Sequence, residues 1–180
     1  MIKPFDEIPC IEGERLILTR LEPSDSMDLA ELMRDRPVYR YLPTFLLEQQ
    51  CDDPLLIIRQ MYEDCIREKS SLHLGIFLKE GRQFCGLIEL YGFTDSIHKI
   101  SIGYRLKSAC WGRGIATEAV SLMIRYLYSQ TDIQIITAST MPENTASARV
   151  LRKNQFELVV SGAEEDWGYD TPTPSDKWIR

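Results

Sequence analysis

Residues 102–119 read IGYRLKSACWGRGIATEA, and the fold turns on how this stretch is read. Two periodicities meet in it. Ile100, Ile102, Tyr104 and Leu106 alternate with small or polar residues, the period-two pattern of a half-buried strand. From Thr117 to Ser129 the period becomes helical, with Val120, Met123, Tyr126 and Leu127 on one side. Between them lies a polar, glycine-bearing turn, Ser108 to Ala116. A strand therefore runs through a turn into a helix N-terminus, which presents unpaired N–H groups and a partial positive charge. Gly112 and Gly114 carry no side chain, so an anion can approach the backbone closely. Arg113 adds a mobile cation. The unit is an anion cradle, and a pyrophosphate is its natural guest.

Outward from this unit the pattern alternates between strand and helix. Upstream, Leu72 to Lys79 and Gln83 to Phe93 read as a hairpin around Glu80-Gly81. Thr94 to His98 is a loop, and Gly103 is a candidate bulge in the strand that follows. Farther upstream, Glu14 to Leu21 reads as a strand. Pro23-Ser24-Asp25 then caps a helix with an apolar stripe of Met27, Leu29, Leu32 and Met33. A second helix spans Asp53 to Lys69, with Asp53 as N-cap and Pro54 in the first position. Downstream come a strand (Ile133 to Ser139), a helix (Glu143 to Lys153), a strand (Phe156 to Val160) and a short last strand at Lys177 to Arg180. The sequence predicts a mixed α/β sheet in one domain spanning 1–180.

Composition narrows the function classes. A net charge of -6 argues against general nucleic-acid binding, which needs a basic face. No apolar run approaches the length of a membrane span. MIKPFDEIPC lacks the apolar region of a secretory signal, so the expectation is a cytoplasmic protein. Five cysteines without CxxC spacing read as reduced thiols. His73 and His98 have no ligand-like spacing to them, so no metal is expected and both histidines read as structural or surface residues.

Three phosphate-binding readings compete for the turn. The Walker motif GxxxxGK[ST] is absent. A dinucleotide fingerprint needs a third glycine where Thr117 stands, and a buried parallel strand before the turn. The preceding strand instead alternates, as an antiparallel one does. A nucleotide-dependent oxidoreductase would rest on GRGIAT alone. The third reading is a coenzyme A pyrophosphate loop.

Residues 102–119 resemble the cofactor motif of GNAT-superfamily N-acetyltransferases, most closely the RimJ/RimL-like branch. ENTASARVLRKNQF (143–156) resembles that branch's second signature, and ERLILTRLEPSD (14–25) its opening. The resemblance implies a largely antiparallel central sheet of about seven strands flanked by about four helices. It also implies acetyl-CoA as cosubstrate, direct transfer to a primary amine on a protein N-terminus or small molecule, and a monomer or homodimer. By position, the backbone of Tyr104, Arg105 and Leu106 is expected to pair with the pantetheine arm. The N–H groups from Gly112 through Arg113, Gly114, Ile115 and Ala116 to Thr117 are expected to hold the pyrophosphate, with Trp111 opening the loop. Asn144 falls beside the acetyl end, and Ser147 is the candidate acid for the leaving thiolate.

Three positions depart from the pattern. Trp111 replaces a usual Gln or Arg, and Asn154-Gln155 replaces Leu-Gly. Ser101 stands where a Glu is frequent, which removes a carboxylate that could serve as base. Glu89, on the neighbouring strand, becomes the candidate base, because an amine must lose a proton to attack. Ser101 also motivates the alternative of a catalytically silent CoA-binding module. Tyr91 and Tyr104 are alternative acids, and Glu118 suits the helix dipole. The variable segments 35–53, 94–98 and 162–170 are expected to form the acceptor site, with Glu164, Glu165 and Asp166 attracting a cation.

Overall fold

The computed structural model describes residues 3–180. Its strands are β1 (Ile11–Glu12), β2 (Leu16–Thr19), β3 (Ser71–Leu78), β4 (Phe84–Thr94), β5 (Lys99–Leu106), β6 (Ile135–Thr140), β7 (Glu157–Glu165) and β8 (Thr173–Ile179). They form one sheet in the order β1-β2-β3-β4-β5-β6-β8-β7. Every adjacent pair is antiparallel except β5 with β6. The eight strands exceed the seven expected because two residues, Ile11 and Glu12, add an edge strand too short to show a period.

The helices are α1 (Ser26–Arg34), α2 (Leu47–Gln50), α3 (Pro54–Leu56), α4 (Tyr62–Arg67), α5 (Ile115–Gln130) and α6 (Thr145–Lys153). A π-helical turn, Ile57–Met61, joins α3 to α4, so the helix expected from residue 53 onward is one winding run. Asp53 caps it, its carboxylate accepting from the N–H groups of Leu55 and Leu56 at 2.9 and 3.2 Å. On α1 the buried residues are Leu29, Ala30 and Leu32, whereas Met27 is 71% exposed and does not belong to the stripe expected of it.

Alternation along the strands gives the sheet two apolar faces. Leu72, Leu74, Ile88, Leu90, Ile100 and Ile102 pack against α5 through Ala119, Val120, Met123 and Leu127. On the other face Phe77 and Leu87 meet Leu29 and Leu32 of α1 and Ile57, Ile58 and Tyr62. Each such burial stabilises by about 1.5–3 kcal/mol. A helix layer on both faces leaves the sheet edges and strand ends for chemistry.

Two departures shape those ends. Gly103 is not a bulge: it pairs in register with Glu89, and the irregularity falls on β4 between Tyr91 and Thr94, where Gly92 has φ +62°. The parallel pairing of β5 with β6 covers Lys99–Ser101 against Ile135–Thr137. Beyond Ser101, β5 continues to Leu106 and β6 to Thr140 without pairing to each other. The sheet therefore splits in the middle.

Candidate active site

The split exposes one edge of β5. Lys107 N–H donates to the Cys85 carbonyl of β4 at 2.8 Å. Since backbone groups alternate along a strand, Arg105 also turns its N–H and C=O toward β4, while Tyr104 and Leu106 turn theirs into the split. Pairing with an extended ligand arm was expected from three successive residues; the pleat restricts it to Tyr104 and Leu106. The Leu106 carbonyl already accepts the Trp111 indole N–H at 2.9 Å.

At the end of this edge the chain makes the glycine turn. Gly112 and Gly114 have φ +72° and +75°. A Cβ at Gly112 would meet nothing within 4 Å, so glycine is required there by its left-handed backbone rather than by space. The first α-helical bond of α5 runs from Glu118 N–H to the Gly114 carbonyl. Among the described residues, the six N–H groups from Gly112 to Thr117 donate to no backbone or side-chain acceptor. They are the orphan donors an anion satisfies. Glu118 is structural: its carboxylate accepts from Arg15 N–H at 3.0 Å and Arg15 Nε at 2.7 Å, fastening β2 to α5. Arg15 Nη1 also donates to the Arg113 carbonyl at 3.2 Å. The sequence held no signal for this clamp beyond Arg15's place in the ERL opening.

A cavity of about 750 Å³ joins the turn to the opposite side of the sheet. Trp111, Gly112, Gly114, Ile115, Ala116 and Thr117 line one part of it. Tyr104, Arg105, Leu106, Asn144 and Ser147 line the middle, and Glu89 the far part. Arg113 does not line it, and neither do residues 94–98 or Glu164. The 94–98 loop instead closes the hairpin, where Asp95 pairs with Lys3 at 2.7 Å.

Asn144 caps α6, its Oδ1 accepting Ser147 N–H at 3.2 Å. This places Ser147 Oγ 2.7 Å from the Tyr104 hydroxyl, which also donates to the Ser147 carbonyl at 3.2 Å. Burial raises the Tyr104 hydroxyl well above its ordinary range, partly offset by the Ser147 bond, so it stays protonated.

Glu89 lies in a buried polar chain. Arg105 Nη1 donates to Glu89 Oε2 at 2.9 Å, and Arg105 Nε contacts Glu48 of α2. His73 Nδ1 lies 3.4 Å from the same Glu89 oxygen, its ring stacked on Tyr62 with centroids 4.4 Å apart. Ser71 Oγ bonds His73 Nε2 at 2.8 Å. Burial raises the Glu89 carboxyl, but Arg105 and His73 outweigh it, so Glu89 is held below the usual carboxylate range. Burial depresses His73 to about 4, so it is neutral near pH 7. Two carboxylates thus share one guanidinium, leaving one negative charge. Glu48 and His73 joined the site only through tertiary contact.

The family model described as "Acetyltransferase (GNAT) domain" matches residues 15–157. The chain belongs to the GNAT acetyltransferases. A relative of this GNAT protein in Bacillus subtilis (strain 168), the uncharacterized N-acetyltransferase YoaA, is 25% identical over 168 residues, 93% of either chain. The Escherichia coli (strain K12) [ribosomal protein uS5]-alanine N-acetyltransferase is 26% identical over 98 residues, covering 54% of this chain and 50% of that one. In fold, the domain superimposes on Mycobacterium smegmatis RimJ in complex with CoA-disulfide, with a TM-score of 0.85 at 19% identity, over 99% of this chain and 90% of that one. The GNAT domain is an acetyl-CoA-dependent acyltransferase similar to RimJ/RimL enzymes.

Two of the variable segments also line this cavity. Tyr41, Leu42 and Phe45 come from one, and Asp166 and Trp167 from the other. Among the described residues, no helix is long and apolar enough to cross a membrane. All five cysteines are free thiols, and Cys110 is buried beneath the turn.

Proposed function

We propose that this acetyltransferase transfers the acetyl group of acetyl-CoA to a primary amine, of a protein N-terminus or a small molecule, by direct attack in a ternary complex. The supporting observation is the meeting, in one cavity, of six unpaired N–H groups, an unpaired β5 edge and a buried carboxylate. We read residues 1–180 as one such domain in the reducing cytoplasm, as monomer or homodimer.

In this reading the N–H groups of Gly112 to Thr117 hold the pyrophosphate and Tyr104 and Leu106 the pantetheine amides, with Asn144 beside the acetyl end. Acetyl-CoA supplies the acyl group as a thioester. Glu89, ionised at neutral pH with Oε1 free of donors among the described residues, takes the amine proton, directly or through water. Ser147 Oγ, bonded to Tyr104, gives a proton to the departing sulfur. The test is a calorimetric titration with acetyl-CoA followed by a thiol-release assay over an amine panel. No binding at millimolar ligand overturns the reading.

A CoA-binding protein without turnover is the second reading. The observation favouring it is Arg105, which holds Glu89 below the basicity wanted of a proton acceptor at neutral pH. Binding without thiol release on any amine identifies this case.

A further inference from the structure

We propose that the acceptor is a small primary monoamine with an apolar body rather than a polypeptide N-terminus; this rests on the acetyl-transfer reading above. A peptide lying in a groove is held by its backbone, which needs free N–H and C=O groups opposite it. Leu42 and Pro43 line the acceptor end of the cavity and Thr44 follows them in the chain; their polar groups are already engaged. Leu42 N–H donates to the Tyr39 carbonyl at 3.3 Å, and the Leu42 carbonyl accepts from Tyr169 OH at 2.8 Å. Pro43 has no N–H, and its carbonyl accepts from Gln49 Nε2 at 2.6 Å. Thr44 N–H donates to the Trp167 carbonyl at 2.8 Å, and the Thr44 carbonyl accepts from Gln50 Nε2 at 2.7 Å.

The same bonds clasp two segments together beside the pocket. Thr44 Oγ1 donates to the Gly168 carbonyl at 2.8 Å, and the contact is so close that a Cβ on Gly168 would lie 2.3 Å from Thr44 Oγ1. A polypeptide lying along residues 42–44 would find no free N–H donor there.

What the pocket offers is apolar surface and, at its inner end, one carboxylate. Val38, Tyr41, Leu42, Phe45, Tyr91 and Trp167 line it, and Glu89 stands at its inner end with Oε1 free of donors among the described residues. That combination suits an ammonium group carried on an aliphatic or aromatic body. A second ammonium is poorly served. Glu165 is neutralised by Lys177 at 2.5 Å and also accepts the Trp167 indole N–H at 2.7 Å. Asp166 accepts Gly168 N–H at 2.8 Å and is exposed to solvent.

The experiment measures kcat/KM by thiol release with 2-phenylethylamine, hexylamine, spermidine, and hexapeptides starting with alanine or serine. Acetyl-CoA binding is measured separately by calorimetry. The two monoamines are expected to exceed both peptides by roughly 100-fold, since peptide groups buried without partners weaken binding strongly. Spermidine is expected below hexylamine. Gly168→Ala, which opens the clasp, is expected to raise the peptide-to-amine ratio at unchanged acetyl-CoA affinity. Peptides turned over as well as the monoamines, or a ratio unmoved by the variant, overturn the inference while the transfer reading stands. Acetyl-CoA binding without turnover of any monoamine also overturns it. Loss of acetyl-CoA binding overturns the transfer reading itself.

Discussion

Gly103 faces Glu89 across β4 and β5, and a Cβ on Gly103 would lie 2.5 Å from Glu89 Oε1. The glycine makes room for a carboxylate rather than for a bend. Gly103→Ala should push Glu89 off its position without touching the turn at residues 112–117. A displacement near 1 Å at a reacting group lowers rates by up to about 100-fold. Steady-state kinetics should show kcat reduced roughly 10- to 100-fold with the acetyl-CoA KM unchanged. An unaltered kcat would remove Glu89 from the chemistry.

The buried trio of Glu48, Arg105 and Glu89 should respond unequally to substitution. Glu48→Gln leaves Arg105 paired with Glu89, so charge balance improves while one contact weakens. Arg105→Met leaves two carboxylates buried without a cation, and breaking such a pair costs about 3–5 kcal/mol. Urea unfolding at pH 7 should place R105M well below E48Q in stability. R105M should also raise the Glu89 pKa, since burial then acts without its counterweight.

Positive φ at Gly112 and Gly114 sets the next expectation. An L-residue in that region costs about 1–2 kcal/mol, and asparagine tolerates it best. Gly112→Val and Gly114→Val should weaken acetyl-CoA binding about tenfold or more in calorimetry, with Gly112→Asn less harmful. The space around Gly112 is open, so backbone strain decides the Gly112 pair, whereas a Cβ on Gly114 would also touch Arg15 Nη2 at 3.6 Å.

His73 makes stability depend on pH. In the unfolded chain it binds a proton below about 6.5, but in the fold not until about 4. Between those values the unfolded state holds more protons, so stability is full above pH 6.5 and falls as pH drops toward 4. The loss from this residue is of order 3 kcal/mol. Urea unfolding at pH 7.5, 5.5 and 4.5 should show this slope, and His73→Gln should flatten it.

Local patterns carry far in this protein. The period-two strand, the glycine turn and the period-3.6 helix at residues 100–130 are neighbours in the chain, so their sequence states the anion cradle outright. Asn144 and Ser147 are likewise legible, because capping acts within three residues. The mixed sheet follows from the order of elements. Other features came from separations no local pattern spans. Arg15 reaches Glu118 across 103 residues, and the clasp of Thr44 on Gly168 spans 124. Glu48 meets Arg105 inside the protein, where a polar residue on a short helix gives no periodic sign of burial. The pleat, which turns Tyr104 and Leu106 into the split and Arg105 away from it, depended on which neighbour β5 pairs with. Sequence by itself determined the glycine turn at a helix start and the fold class, since both are written in short-range spacing. The apolar end of the cavity was decided by tertiary structure, because it is made where distant segments close on one another and use up their own hydrogen bonds.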